Sequence, residues 1–114
     1  MNLPDLPNSD ASLAAWQNYI TSNCRARGWD SAEDLEIFLL FSEEVGEFAK
    51  ALRRHRGLFS EKVDAEARRR AQHDVAEEMA DVLSYLLDLA SRLEVDLGQA
   101  LLQKEQLNRE REWD

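Results

Sequence analysis

Ile37-Phe38-Leu39-Leu40-Phe41-Ser42-Glu43-Glu44-Val45-Gly46-Glu47-Phe48-Ala49-Lys50-Ala51-Leu52 is the stretch whose reading decides the fold. Phe38, Phe41, Val45, Phe48 and Leu52 step by three and four, the spacing of one face of an α-helix. The same step recurs through Val75, Met79, Val82, Leu86, Leu89 and Leu93. These two stripes read as the core-facing sides of an amphipathic helix pair. Short polar connections predict that the helices run antiparallel in a four-helix-bundle-like, all-α fold.

Outward from that pair, four helical segments are expected. The first runs from about Asp10 to Arg27, with Ser9 or Asp10 as cap and Gly28 as a left-handed stop. The second spans about Ala32 to Arg56, with Ser31 and Asp34 resembling a capping box and Gly57 ending it. The third passes through Val75 to Leu93. Its beginning is open, because the charged run Glu61 to Gln72 suits either helix or solvated linker. The fourth spans about Leu97 to Glu112, capped by Asp96 with Gln99 completing the box.

Composition agrees with one domain over residues 1–114, residues 1–8 forming an arm. Both prolines, Pro4 and Pro7, lie in that arm, and beyond it only glycines interrupt helix. Fourteen Lys and Arg against twenty-three Asp and Glu leave a net charge of −9. This disfavours binding to a nucleic-acid polymer, which wants a basic face. No apolar run is long enough to span a membrane, and the first residues do not form a secretory signal. The single cysteine, Cys24, can make no internal disulfide, which points to a reducing, cytoplasmic compartment. Helix two is apolar over more than one stripe, since Ile37, Leu40 and Ala51 lie beside the Phe38 line. That surplus predicts a homo-oligomer.

The informative polar residues are Glu44, Glu47, Glu78 and Asp81. Residues three apart on a helix are neighbours, so each pair projects together. At about 100° per residue, Glu44 falls inside the Ile37/Leu40/Ala51 arc and Glu78 between Tyr85 and Leu89. Glu47 and Asp81 lie at the borders of their arcs. Inward-facing like charges are costly unless neutralised, and an all-oxygen donor set suits Mg²⁺ or Mn²⁺. Glu43 and Glu77 point away, toward solvent or the margin of the site. A single EExxE string would more often decorate an exposed helix face; two pairs intruding on two apolar arcs favour a metal site.

Other chemistries are poorly supported. A di-iron bundle needs Glu-x-x-His pairs, and neither His55 nor His73 stands three after a Glu. Both histidines read as solvated. Zinc lacks its usual His and Cys ligands. Neither a nucleophilic triad nor a Gly-rich phosphate loop is present, and a glycosidase-type acid pair would not need four carboxylates. Trp16 groups with Leu13 and Ile20 as core, and Trp113 is nearly terminal. Gly46, costly inside a helix, either admits a neighbouring helix or leaves room beside a metal.

Glu43-Glu44-Val45-Gly46-Glu47 followed by Glu77-Glu78-Met79-Ala80-Asp81-Val82-Leu83 resembles the MazG-like all-α nucleoside triphosphate pyrophosphohydrolases, whose signature is EExxE, a spacer, then ExxD. Asp81-Val82-Leu83-x-Tyr85-Leu86, Leu89-Ala90, Val95-Asp96-Leu97 and Lys104-x-x-x-Asn108-Arg109 look like the dCTP pyrophosphatase branch. The similarity covers about Trp29 to Arg111. It implies Mg²⁺-dependent hydrolysis of a (deoxy)nucleoside triphosphate to its monophosphate and pyrophosphate, as house-cleaning of the nucleotide pool. It also implies a homodimer or homotetramer.

Carried over by position, Glu44, Glu47, Glu78 and Asp81 would hold the metal, with Glu44 or Glu47 taking the proton of the attacking water. Lys104, Asn108 and Arg109 would meet the triphosphate, Trp29 would stack on the base, and Tyr85 would join the substrate-binding set. Near the end of helix two that branch has a second aromatic, and Arg54 stands there in this sequence. A guanidinium plane with one aromatic face predicts only a modest preference for pyrimidine deoxynucleotides, about tenfold or roughly 1.4 kcal/mol. The competing reading is a non-enzymatic acidic helical module that binds a basic partner.

Overall fold

A computed structural model of the chain describes residues 1–57 and 64–111. Among them are four α-helices and no strand: α1 Leu13–Arg27, α2 Asp34–His55, α3 Ala65–Arg92 and α4 Leu97–Glu110. The all-α expectation holds. Among the described residues no helix is long and apolar enough to cross a membrane. Residues 58–63 and 112–114 lie outside the described set, and with them the expectations for Glu61, Glu112 and Trp113.

The helix ends show how local chemistry sets the boundaries. α1 begins at Leu13, later than predicted, because the chain first closes a turn in which the Ala11 N–H donates to the Asn8 carbonyl at 3.0 Å. Ser12, not Ser9 or Asp10, is the cap, accepting from the Ala15 N–H. Gly28 ends α1 at φ 74°; its N–H donates to the Arg25 carbonyl and that of Trp29 to the Cys24 carbonyl, the double closure of a Schellman motif. Gly57 follows α2 with φ 69°. α2 itself starts at Asp34 rather than Ala32. Asp64 caps α3, its Oδ1 accepting from the Ala67 N–H at 2.7 Å, so the charged stretch from Ala65 to Gln72 is helix. Asp96 caps α4 through the Gln99 N–H at 3.0 Å, as the sequence predicts.

The chain divides into two compact units. One comprises Met1–Asp34 with the chain from Leu87 onward, and the other Leu35–Leu86. In the first, Gln17 on α1 is buried and ties down the turn between α3 and α4. Its Nε2 donates to the Val95 carbonyl at 2.8 Å and to Ser91 Oγ at 3.3 Å, while its Oε1 accepts from the Leu97 N–H at 3.0 Å. Trp16, Leu13 and Ile20 are half-buried on the same helix, and Trp16 meets Tyr19 edge-on.

In the second unit α2 and α3 run antiparallel. Glu44 meets Glu78 and Asp81, and eleven residues later along α2, His55 meets Gln72, earlier along α3. The expected core stripes need correction here. The buried positions of α2 are Ile37 and Ala51, on the arc beside the Phe38 line, whereas Phe38 is 49% and Val45 43% exposed. Phe41 and Phe48 on that line are half-buried, as are Val75, Val82 and Leu89 on α3, while Leu52, Met79, Leu86 and, just past α3, Leu93 are exposed. One chain covers each apolar arc only in part, since Leu40, beside Ile37 and Ala51, is exposed too.

Candidate metal centre

α2 and α3, antiparallel within Leu35–Leu86, bring the acids together. Glu44 projects from α2, and Glu78 and Asp81 from adjacent turns of α3. One carboxylate oxygen from each lies within 4.8 Å of the others. Glu44 and Glu78 are half-buried and Asp81 is exposed. Three of the four predicted ligands are therefore gathered. Glu47 is exposed one turn further along α2 and falls outside the group of three, though its charge is felt at Glu44.

The electrostatics of the group are strained. The Glu44 carboxyl is pushed above its usual range, first by burial, then by a hydrogen bond with Glu78, and then by the charges of Asp81, Glu78 and Glu47. Glu78 Oε2 is buried with no hydrogen-bond partner. An orphaned carboxylate oxygen beside two further carboxylates is a donor set that fits a hard divalent cation, which would satisfy the oxygen and offset the repulsion. Glu43 and Glu77 stay outside: both are exposed, and Glu77 pairs with His73 at 3.1 Å. Both histidines are exposed, as expected, and each also has a partner, His55 with Gln72 and His73 with Glu77. A Cβ added at Gly46 would meet nothing within 4 Å, so no helix of this chain approaches there among the described residues.

The other predicted site residues fall in two sets. Arg54, exposed near the end of α2, and Tyr85, half-buried on α3, belong to the same unit as the acids. Trp29, Lys104, Asn108 and Arg109 belong to the other. Lys104 and Asn108, four apart on α4, share a face; Lys104 and Arg109 are exposed and Asn108 half-buried.

Trp29 follows the Gly28 turn with its indole 55% exposed and the Arg27 guanidinium 5.0 Å from the ring centroid. Sequence reasoning missed what holds this loop. Arg92 donates to the Ala32 and Trp29 carbonyls, and its Nε donates to Asp88 Oδ1 at 2.9 Å in a largely buried pair. The i, i+4 spacing of Asp88 and Arg92 was the signal available.

What two helices present together is a convergent set of oxygen donors. A family model, the MazG nucleotide pyrophosphohydrolase domain, matches residues 33–109, a span that contains all four acids and Lys104, Asn108 and Arg109. No curated protein matches the chain. Members of that family generally use a divalent metal, and the Glu44, Glu78 and Asp81 cluster could hold one. With the greater part of its length matched and its helices and acids arranged in this way, the chain belongs to the MazG nucleotide pyrophosphohydrolase family.

Proposed function

We propose that this chain is a Mg²⁺-dependent nucleoside triphosphate pyrophosphohydrolase that cleaves between the α and β phosphates, releasing a nucleoside monophosphate and pyrophosphate. The observation that carries the reading is the convergence of the Glu44, Glu78 and Asp81 carboxylates, with Glu78 Oε2 buried and unpartnered. Mn²⁺ has the same preference for oxygen donors and would substitute. A divalent cation held there supplies charge neutralisation and lowers the pKa of bound water.

The chain's own residues do the rest. Glu44, Glu78 and Asp81 are the holding set. Glu47, exposed and outside that set, is left to accept the proton of the attacking water or to complete the ligand shell. Lys104, Asn108 and Arg109 bind the phosphates and offset the charge of the leaving pyrophosphate. Trp29 offers an aromatic face to the base, and Arg54 and Tyr85 complete the pocket on α2 and α3.

The substrates are (deoxy)nucleoside triphosphates, with a preference of about tenfold for pyrimidine deoxynucleotides because a stacked pocket has few directed hydrogen bonds. The role is removal of unwanted nucleotides from the cytoplasmic pool. The protein works as a homodimer or homotetramer, for which the exposed side of α2 supplies the apolar surface.

The test is a panel of canonical and modified nucleoside triphosphates assayed for pyrophosphate. Release with Mg²⁺ that stops on adding EDTA is the expected result. No turnover with either Mg²⁺ or Mn²⁺ would overturn it in favour of the acidic interaction module.

A further inference from the structure

Six of the chain's fourteen Lys and Arg flank the connection between α2 and α3: Arg53, Arg54 and Arg56 at or just past the end of α2, and Arg68, Arg69 and Arg70 near the start of α3. The hydrogen bond between His55 Nε2 and Gln72 Oε1, 2.8 Å, fixes those two helix ends side by side. Between them is a cleft of about 410 Å³ lined by His55, Arg56, Arg68 and Gln72. None of the six guanidinium groups has a carboxylate partner among the described residues, in a chain that carries nine more acids than bases.

The ordinary explanation covers half of this. Cations at the C-terminal end of α2 complement its dipole. Arg68, Arg69 and Arg70 have no such reason, since they follow the first turn of α3, the end at which the dipole favours acids. Two sets of like charge brought together by helix packing also repel each other. What relieves both is an anion between them.

We infer that this basic end of the α2–α3 pair is a second ligand site, which binds a small anion carrying phosphate groups. Planar guanidinium forks on two sides of a cleft suit phosphate oxygens bidentately, and the His55 and Gln72 side chains add neutral hydrogen-bonding groups. The cleft, lined by Arg56 and Arg68 and not by Arg54, is separate from the carboxylates. Arg56 lies twelve residues beyond Glu44, about 18 Å along α2, and Arg68 ten residues before Glu78, about 15 Å along α3. It needs no metal, and it does not rest on the catalytic reading. A small anion fits better than a nucleic-acid strand, which would extend past the patch onto a surface of net negative charge.

Isothermal titration of the full chain with inorganic pyrophosphate, in EDTA so that the carboxylate cluster is silent, tests this. One saturable site is expected, weakened by added NaCl. Arg56→Gln with Arg68→Gln should weaken it at least tenfold, and Arg56→Lys with Arg68→Lys much less, because charge is kept. Glu44→Gln with Asp81→Asn should leave it unchanged. Far-UV circular dichroism checks that the glutamine pair is folded; if it is not, Arg56→Gln and Arg68→Gln singly should each weaken binding about threefold.

Absence of saturation, an unchanged affinity in the glutamine variants, or an equal loss in the Glu44/Asp81 variant would overturn the site. Tighter binding of a single-stranded oligonucleotide than of pyrophosphate would overturn its assignment to a small anion. Metal-dependent pyrophosphate release from nucleotides is measured separately, so either result can fail while the other stands.

Discussion

Glu44 concentrates the conflict on which the candidate site is built. Its carboxyl titrates above the ordinary 4.5 because burial, the hydrogen bond with Glu78 and neighbouring acids all disfavour the charged form. Between 4.5 and the raised value the folded protein binds more protons than the unfolded chain. Without metal, the stability this group contributes is therefore lost as pH rises through that window, and stays lost above it. Glu44→Gln should flatten that slope, so that thermal melts in EDTA at neutral pH match or exceed those of the parent. A large fall in melting temperature would instead make the acid structural. Glu47→Gln and Asp81→Asn should keep the fold and lose activity about a hundredfold or more, read as pyrophosphate release. Trp29→Ala should mainly raise KM across several bases, because it removes binding shared by ground and transition states; lost turnover at constant KM would contradict stacking.

At the scale of elements, short-range chemistry was legible and long-range chemistry was not. Asp96 with Gln99, and the glycines at 28 and 57, mark helix ends through side chains and dihedral freedom that act within a few residues. The start of α1 escapes a reading of caps alone, because an Asn8–Ala11 turn competes with Ser9 and Asp10 for the same backbone groups. The start of α3 was open because Ala65 to Gln72 has no apolar stripe, and its cap, Asp64, is one acid among many. No pattern announces that Arg92 reaches the Ala32 carbonyl sixty residues away. Arg92→Ala should cost about 2–3 kcal/mol, since it leaves Asp88 largely buried without its partner and frees the Trp29 loop. A denaturant midpoint unchanged from the parent would refute that. Glu94, which follows α3 at φ 58°, pays for a left-handed backbone that glycine adopts freely. Glu94→Gly should therefore stabilise by about 0.5–1 kcal/mol in the same measurement.

For the whole molecule the deciding quantity is apolar surface. Helical geometry alone turns Glu44 and Glu78 toward apolar arcs with Asp81 at a border, and the structure gathers these three; Glu47, read by the same spacing, stays outside the group. How far each arc is buried was not legible, because the α2 sequence offers two and only packing decides which positions are covered. Ile37 and Ala51 are covered, while Leu35, Phe38, Leu39 and Val45 on α2 and Met79 and Leu83 on α3 are exposed. Covering a large apolar side chain is worth about 1.5–3 kcal/mol, so several exposed together make association favourable. A second copy of the chain is the partner the sequence predicts, and the open space beside Gly46 is where its backbone would find no Cβ in the way. Light scattering at micromolar concentration should then report at least twice the 13.1 kDa of one chain. Leu39→Glu, which places a charge on that surface without touching any proposed ligand, should shift the mass toward the monomer and lower the melting temperature with it. A monomeric parent would show that these side chains remain in water, and the self-association proposed here would be wrong.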